Sequence, residues 1–450
     1  MATAPFSWPK GIQPPVAKQK PFDVGLHGEV RLDEYYWLND FFKKGPDSTQ
    51  VVDHLKAENA YLDTMLSGVR PLRQKLFDEM KGRIKERDES VPVFYNGYYY
   101  YTRFEEGKQY FLYCRKKGSL EAPEELLLDL NKMAEGHDYF SATNFKISPD
   151  NHLLAYGVDT VSRRQYTIYI KDLETGETYP EAIYPTSGSS EWAQDNKTLF
   201  YTETNPKTLL TETIKRHVLG TAASTDAVVY RETDPTNYIG IAKSRSQDYF
   251  FISSQGTLSS EVRYLRTDDP NGSFRVVQSR MKDVLYTVDH HSDRFYIVTN
   301  KEAKNFRLME SRLDATSADQ WKEVIPHRSD VLLEGIDVFK DYLVLTERKE
   351  GLLQLRVREF PTGKEHYLDF GEPAYTAYVG SNLEFKTTTL RYGYTSLTTP
   401  SSVYDYDMAS QQKTLKKQQE VVGGYDHSSY VTERIYVTAH DGVKVPVSIV

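Results

Sequence analysis

The stretch Asn144–Glu177 reads NFKISPDNHLLAYGVDTVSRRQYTIYIKDLETGE and decides the fold. It contains a short strand pattern, a polar turn, an aromatic-rich strand pattern, a loop and a third strand pattern with alternating apolar residues. The second pattern occurs seven times, at Gly97–Arg103, His152–Val158, Lys197–Glu203, Asp248–Ser254, Asp293–Thr299, Asp341–Glu347 and Asn382–Thr388. Successive copies start about 55, 45, 51, 45, 48 and 41 residues apart, a spacing typical of repeat architectures.

These repeats predict a mainly β fold built as a seven-bladed β-propeller over residues 89–422. A four-stranded unit of this length cannot bury both faces alone, so neighbouring copies must stack, and radial stacking forms a propeller. A pair of β-sandwiches uses similar strands but gives no reason for the fixed period. Each copy is contiguous in sequence, so we expect the first and last blades to meet by side-chain packing alone. The aromatic residues predicted to pack between blades are Trp192, Phe200, Phe250 and Phe295.

Composition excludes several classes of partner. The formal net charge is −8 without long charged runs, which argues against nucleic acid or an anionic membrane as the main partner. The N-terminus lacks the apolar core of a secretory signal, and no stretch of about 20 apolar residues could span a bilayer, so a cytoplasmic protein is expected. Cys114 is the only cysteine, which excludes an internal disulfide and predicts a small packed side chain.

The segments flanking the repeats predict a further domain. Residues 1–88 comprise a Pro- and Gly-rich arm over residues 1–32, aromatic anchors in Asp33–Asp40 and two amphipathic helices. The first helix is predicted over Ser48–Leu66, with Leu55 on its apolar face, and the second begins at Pro71 and carries Leu76. The apolar faces of these helices need a surface on which to pack.

Residues 423–450 are expected to begin another domain. Ser429–Thr438 alternates as a strand, His440–Gly442 forms a turn, and Val443–Val450 begins a return strand. An isolated hairpin is only marginally stable in water. We therefore predict that it opens a domain whose remainder is absent from the sequence.

Four groups of residues suggest chemistry but fit a structural role better. Asp426-His427-Ser428 contains the three residue types of a hydrolytic triad, yet consecutive residues cannot place them in line. His290-His291 before Asp293 lacks a third metal ligand at regular spacing and is interpreted as a solvated turn. Two further groups lack the Lys-Ser/Thr of a phosphate loop, namely Ser187–Ser190 and Gly363-Lys364. The sequence thus predicts neither a cofactor nor a metal site.

Several collinear segments carry a family resemblance. They are Asp33–Asp40 (DEYYWLND), Arg83–Glu86 with Ser90–Pro92, Arg391–Ser396 with Thr399-Pro400, and Tyr430–Ser448 with Glu433-Arg434 and Asp441–Ser448 (DGVKVPVS). They resemble the prolyl oligopeptidase family of serine peptidases and, within it, the oligopeptidase B branch. The resemblance implies a seven-bladed propeller that caps an α/β-hydrolase domain, with the N-terminal helices wrapped around that domain. It also implies hydrolysis of short peptides, in this branch after Lys or Arg.

The chain departs from this family because the hydrolase domain is absent after its first hairpin. The serine nucleophile of such a domain lies in a G-x-S-x-G turn and is followed by Asp and His, and no G-x-S-x-G occurs here. The Ser, Asp and His of the triad are therefore expected beyond Val450, and no catalytic residue is assigned within the chain. The expected partners are short peptide substrates and the missing hydrolase domain in cis.

Two functions are consistent with the sequence. One is the N-terminal and propeller part of an oligopeptidase B-like serine peptidase, in which the propeller excludes folded proteins by size. The other is a free-standing propeller that binds a peptide or protein without catalysis. The helices and the terminal hairpin favour the peptidase, because a free-standing propeller needs neither. The 450-residue chain alone is predicted to be inactive.

Overall fold

A computed structural model of the protein describes residues 7–43 and 45–450. The chain divides into two compact units, one ending at Lys85 and the other beginning at Glu86. The first unit contains a two-stranded sheet and three helices: β1 (Phe22–Asp23), β2 (Leu32–Asp33), α1 (Asp40–Lys43), α2 (Ser48–Met65) and α3 (Arg70–Gly82).

Aromatic side chains anchor the arm of the first unit. The Trp37 indole is buried and donates a hydrogen bond to the carbonyl oxygen of Lys18 at 2.8 Å. Phe22 and Tyr36 stack with ring centroids 4.3 Å apart. Of the predicted anchors, Trp37 and Tyr36 are thus confirmed, whereas Tyr35 is exposed.

Helices α2 and α3 confirm the two predicted helices, and Pro71 lies in the first turn of α3. Much of their apolar surface faces solvent. Leu62 and Met80 are 53% and 61% exposed, and the other exposed apolar residues of these helices and the segment after α3 are Leu55, Leu72, Leu76, Phe77 and Ile84. No helix within the described ranges is long and apolar enough to span a lipid bilayer.

The second unit begins with a four-stranded antiparallel blade and a short helix. These elements are β3 (Val93–Tyr95), β4 (Tyr98–Arg103), β5 (Leu112–Lys117), β6 (Glu124–Asp129) and α4 (Leu130–Met133). The Asp129 carboxylate caps α4 by accepting hydrogen bonds from the backbone N–H groups of Asn131 and Lys132.

The following strands form one continuous seven-stranded sheet. In order across the sheet they are β7 (Ser141–Ile147), β8 (Leu153–Asp159), β9 (Tyr166–Asp172), β10 (Ile183–Trp192), β11 (Thr198–Thr204), β12 (Thr211–Val218) and β13 (Ala227–Arg231).

Four further blades follow, and each is a separate four-stranded sheet with its strands in chain order. The first two comprise β14 (Tyr238–Lys243), β15 (Tyr249–Gln255), β16 (Ser260–Arg266) and β17 (Arg275–Gln278), then β18 (Tyr286–His291), β19 (Arg294–Thr299), β20 (Arg307–Arg312) and β21 (Lys322–Ile325). The last two comprise β22 (Val331–Val338), β23 (Tyr342–Lys349), β24 (Leu352–Glu359) and β25 (Glu365–Tyr367), then β26 (Tyr375–Val379), β27 (Thr389–Ser396), β28 (Ser402–Asp407) and β29 (Gln412–Gln418). A final hairpin pairs β30 (Glu433–Thr438) with β31 (Lys444–Ile449), as predicted.

The prediction of seven blades is wrong. The described residues form five separate four-stranded blades, and the strands between Ser141 and Arg231 merge into one sheet. The cause is β10, a ten-residue strand that pairs with β9 through Ile183 and Thr186 and with β11 through residues up to Trp192. Its register shifts on both sides, and Gly188 within it has φ +85°, so one strand serves two repeats.

The position of the second strand in the last repeat is also wrong. Residues 382–388 form no strand, and the second strand of this blade is β27, which starts at Thr389. The Asn382 side chain explains the difference, because its amide donates to the carbonyl oxygens of Gly380 and Arg391, each at 2.9 Å. Its oxygen also accepts the Arg391 backbone N–H at 2.7 Å, so this segment forms an irregular loop despite its alternating pattern.

The predicted packing between blades is confirmed for Phe200, Phe250 and Phe295, whereas Trp192 packs against residues of its own seven-stranded sheet. Trp192, Phe200, Phe250 and Phe295 are at most 1% exposed. Phe200 of the seven-stranded sheet contacts Phe250 of the next blade, with ring centroids 4.8 Å apart. These contacts bury apolar area between successive sheets and hold neighbouring repeats together.

The first and last blades meet without exchanging a strand, as expected, but packing alone does not hold this seam. The Lys417 ammonium binds the Asp88 carboxylate at 2.6 Å. The Arg391 guanidinium donates to the carbonyl oxygen of Pro92 at 2.6 Å, and the Asn96 backbone N–H donates to the Glu384 carboxylate at 2.6 Å. Polar contacts therefore replace the backbone ladder that an exchanged strand would supply.

Candidate functional site

A cavity of about 400 Å3 lies where the first strands of the repeats end, and we call it the channel cavity. Its polar lining comes from successive first strands and the segments that follow them: Tyr95, Lys146, Glu191, Lys243, Arg245, Gln247, Asp289 and Asn382. Because first strands lie closest to the axis of a propeller, the cavity is at one end of the central channel. Its apolar walls include Phe145 and Trp192.

Hydrogen bonds and ion pairs cross this end of the channel. The Lys146 ammonium binds the Glu191 carboxylate at 2.6 Å. The Tyr95 hydroxyl of the first blade donates to the Gln247 side-chain oxygen at 3.3 Å, although Gln247 belongs to the blade that begins at β14. These contacts bring together residues that are far apart in sequence.

Arg245 connects its own blade with two others at this end of the channel. Its guanidinium binds the Asp337 carboxylate and the carbonyl oxygen of Asn382, so one side chain joins three blades. The guanidinium also lies 4.7 Å from the centroid of the Phe339 ring. The sequence patterns gave no signal of this residue, because its partners lie in other repeats.

Burial shifts two charged groups of the channel cavity towards their neutral forms. Desolvation lowers the pKa of Lys243 to about 8, although the nearby Glu191 carboxylate opposes this shift. Desolvation raises the pKa of Asp289 to about 6, against the effect of hydrogen bonds from backbone N–H groups and of the Arg245 charge. Perturbed groups in a cavity are typical of functional sites.

The Asp426-His427-Ser428 group forms a local turn. The Asp426 carboxylate accepts hydrogen bonds from the Ser428 backbone N–H at 2.9 Å and from the Ser428 hydroxyl at 2.7 Å. The hydroxyl therefore donates to the carboxylate and not to an imidazole, which is not the geometry of a triad. The carboxylate caps the short 3-10 helix His427–Ser429.

His290 and His291 lie in strand β18 and not in the predicted turn. His290 is 2% exposed, and both of its ring nitrogens are engaged: Nδ1 lies 2.8 Å from the Ser246 hydroxyl and Nε2 lies 2.8 Å from the carbonyl oxygen of Ser292. Asp248 is 3.6 Å from the same Nδ1, so it cannot orient the ring from the opposite side as in a triad. Within the described residues no group of His, Cys, Asp and Glu side chains could hold a metal ion.

The other candidate groups have structural roles. Ser187 and Ser190 lie in the irregular strand β10, where the Ser190 hydroxyl accepts a hydrogen bond from the Asn144 amide at 2.9 Å. Gly363 has φ +70° in the turn between β24 and β25. Cys114 is fully buried, and burial raises its thiol pKa to about 12, which confirms a packed and unreactive side chain.

The terminal hairpin lies against the opposite end of the propeller from the channel cavity. In a four-stranded meander the turn between the second and third strands lies at the opposite end from the turn between the first and second. The Tyr436 hydroxyl of β30 donates to the carboxylate of Glu350, in the turn between β23 and β24, at 2.6 Å. Thr432 lies 3.2 Å from the hydroxyl of Thr398, which follows β27. The hairpin itself keeps an exposed apolar surface, which includes Val437, Val443 and Val445.

Comparison with known proteins identifies the class to which this architecture belongs. The family description "Prolyl oligopeptidase, N-terminal beta-propeller domain" matches residues 14–419, so the second unit is a propeller of the kind found in peptidases. The chain belongs to the prolyl oligopeptidase family.

Individual relatives extend beyond the length of this chain. This chain is 41% identical over 455 residues to dipeptidyl aminopeptidase BI of Pseudoxanthomonas mexicana. The alignment covers 97% of this chain and 62% of that protein. This chain is also 32% identical to protease 2 of Moraxella lacunata, in an alignment that covers 97% of this chain and 63% of that protein. Oligopeptidase B from Leishmania major superposes with a TM-score of 0.89 at 30% identity over 97% of this chain and 64% of that one. The chain therefore spans less than two thirds of the length of these relatives.

Proposed function

We propose that the chain is the N-terminal and propeller part of an oligopeptidase B-like serine endopeptidase that cleaves short peptides after Lys or Arg. One observation carries this proposal: 97% of the chain aligns with peptidases whose own length it covers by only 62–64%. A structure of oligopeptidase B from Trypanosoma brucei, 28% identical to this chain, contains covalently bound antipain, which supports covalent chemistry in the branch. The Ser, Asp and His of the triad would lie beyond Val450.

In this proposal residues 423–450 begin the peptidase domain, and the exposed apolar faces of residues 1–88 pack on it. Hairpin β30–β31 supports this arrangement, since two paired strands with Val437 and Val445 exposed do not bury a core of their own. Helices α2 and α3 present a similar unpartnered surface. A domain that adds strands to the hairpin would cover this apolar area.

The propeller of residues 89–422 would act as a size filter. Contacts of Arg245 and Tyr95 cross the channel at the end away from the hairpin, and they narrow that route. A peptidase domain at the other end would then receive only chains thin enough to pass the propeller or its seam. A cytoplasmic location, as expected from the sequence, belongs to this proposal.

The experiment compares the 450-residue chain with the same chain extended through a complete hydrolase domain. Substrates with Arg or Lys immediately before the scissile bond are tested. They are compared with substrates that have Pro at that position and with substrates from which a dipeptide is released. We expect the extended chain to cleave after Arg and Lys and to be inactivated by serine-directed phosphonylating reagents. The 450-residue chain should leave every substrate intact, since this proposal places the nucleophile and the oxyanion hole beyond Val450.

Two controls make this test decisive. Replacing the serine of the G-x-S-x-G turn by Ala in the extended chain should abolish turnover, whereas Ser428→Ala should not change it. Preference for Pro or for dipeptide release would overturn the proposed specificity. Turnover by the homogeneous 450-residue chain would overturn the location of the active site.

A further inference from the structure

Two charged side chains of the channel cavity lack an ion-pair partner. Among the described residues, the Lys243 ammonium has no hydrogen bond or ion pair and lies 5.8 Å from the Phe250 ring centroid. The Asp289 carboxylate accepts the His290 backbone N–H at 2.8 Å but forms no ion pair with a described residue. One unpaired cation and one unpaired anion therefore line the same cavity without binding each other.

The other charges of the cavity are committed elsewhere. Lys146 and Glu191 bind each other at 2.6 Å, which leaves Glu191 unable to neutralise Lys243 fully. The Arg245 guanidinium binds Asp337 and acts on Asp289 only as a longer-range charge, although the Arg245 backbone N–H also donates to the Asp289 carboxylate. Burial is the main cause of the shifted pKa values of Lys243 and Asp289, and neither side chain has an ion-pair partner that offsets it.

The shape and walls of the cavity fit an organic ligand better than a single ion. Its volume of about 400 Å3 lies in the range of small-molecule sites. Aromatic and aliphatic side chains form the walls, including Tyr113, Phe145, Ile147 and Trp192. A ligand that fits must therefore carry one negative charge, one positive charge and an apolar portion.

We propose that the channel cavity binds a short peptide whose two termini are free, with its carboxylate on Lys243 and its ammonium on Asp289. Charge-assisted hydrogen bonds at each end would satisfy the two unpaired groups. An apolar side chain of the peptide would pack on Tyr113 and Phe145, which line the cavity and are partly exposed. Blocking either terminus would leave one buried charge unpaired, which is costly.

This site can be tested without the proposed active site. It lies at the end of the propeller opposite the terminal hairpin, and binding there requires no peptidase activity. Its test uses the 450-residue chain, so failure of the binding proposal and failure of the proposed peptidase function give different results. If both hold, the cavity places a site for free-ended products or effectors inside the propeller.

The experiment measures binding of two peptides, each in four chemical forms. Isothermal titration calorimetry with Ala-Phe and Ala-Ala-Phe is compared with titration of their N-acetylated, C-amidated and doubly blocked forms. We expect the free forms to bind and each single block to weaken binding at least tenfold. This comparison needs no substitution in the protein, so it does not depend on the folding of a variant.

Substitutions assign each terminus to its residue. Lys243→Met should abolish the difference between free and amidated carboxyl ends, and Lys243→Arg should preserve it. Asp289→Asn should abolish the difference between free and acetylated amino ends. The matched controls are Lys171→Met, a partly buried lysine bound to the Leu127 carbonyl oxygen at 2.8 Å, and Asp268→Asn, an exposed carboxylate paired with Arg266. Both controls should bind as the wild type does.

Three results would overturn the proposal. They are no binding of any free peptide at millimolar concentration, equal binding of free and blocked forms, and loss of discrimination in a control variant to the same extent as in Lys243→Met.

Discussion

The Arg245 guanidinium binds the Asp337 carboxylate two blades further along the ring. Both side chains are partly buried, 16% and 21% exposed, so their attraction acts in a medium less polar than water. The same guanidinium reaches the carbonyl oxygen of Asn382 in the last blade. This one side chain therefore ties together repeats that adjacent-blade packing does not connect.

Removing this connection should destabilise the propeller. Arg245→Met leaves the Asp337 carboxylate buried without its partner, and loss of one member of such a pair costs about 3 kcal/mol of unfolding free energy. Equilibrium urea unfolding followed by tryptophan fluorescence measures the difference. The control is Arg266→Met, whose pair with Asp268 is exposed and should contribute less than about 1 kcal/mol. Equal effects of the two substitutions would show that Arg245 does not cross-link the blades.

The sequence predicts those parts of the fold that depend on residues close together along the chain, and it misses those that depend on residues far apart along the chain. Helices α2 and α3 follow from local periodicity and the position of Pro71, and the repeats follow from strand patterns. The merging of two repeats at β10 could not be predicted. This strand pairs with β9 of one repeat and with β11 of the next, and the sequence pattern alone reads as two separate segments. Asn382 misled the prediction of the last repeat, since its side-chain hydrogen bonds are not visible in an alternating pattern.

The channel cavity was invisible to sequence patterns for the same reason. Arg245 and Asp337 are separated by 92 positions, and Tyr95 and Gln247 by 152. No motif with fixed spacing connects such pairs, and only the closed ring of repeats brings them together. The aromatic residues between blades could be predicted because each lies at a set place within its own repeat.

The seam between the first and last blades should exchange backbone hydrogens faster after loss of its ion pair. Lys417→Met removes the contact with Asp88, which lies across a junction without a backbone ladder. Hydrogen–deuterium exchange with mass spectrometry should show faster exchange in β3, β4 and β29. Lys215→Met, which removes a pair with Glu203 inside the seven-stranded sheet, is the matched control and should leave the seam unchanged. Unchanged protection at the seam in Lys417→Met would contradict this prediction.

Lys243 should reduce stability at neutral pH. Burial lowers its pKa to about 8 from an ordinary value of 10.5, with Lys146 acting in the same direction and Glu191 opposing it. At pH 7 the charged Lys243 ammonium therefore destabilises the folded state. Lys243→Met should raise the unfolding free energy at this pH by about 1–3 kcal/mol.

The pH dependence of this difference tests its cause. Between pH 8 and 10.5 the unfolded chain binds more protons at Lys243 than the folded chain, so wild-type stability rises relative to Lys243→Met. Chemical unfolding of both proteins from pH 7 to 10 should show the gap closing. Using the difference between two proteins cancels the titration of Tyr95, whose pKa burial raises to about 12, and of the other shared groups. A gap that is constant with pH would indicate better packing of Met and not loss of a buried charge.

The exposed apolar faces of α2 and α3 should make the 450-residue chain self-associate. Met80 is 61% exposed beside Leu72 and Leu76, and contiguous apolar surface of this kind drives association. Sedimentation velocity at increasing concentration should show oligomers, and Met80→Glu should shift the chain towards monomer. Leu258→Glu, at an isolated leucine that is 63% exposed on the propeller, should not. In a chain extended through the proposed hydrolase domain, association should disappear. Met80→Glu should instead lower stability there, because the proposal buries this glutamate against that domain. A monomeric 450-residue chain at all concentrations, or equal effects of Met80→Glu and Leu258→Glu, would show that these helices present no docking surface.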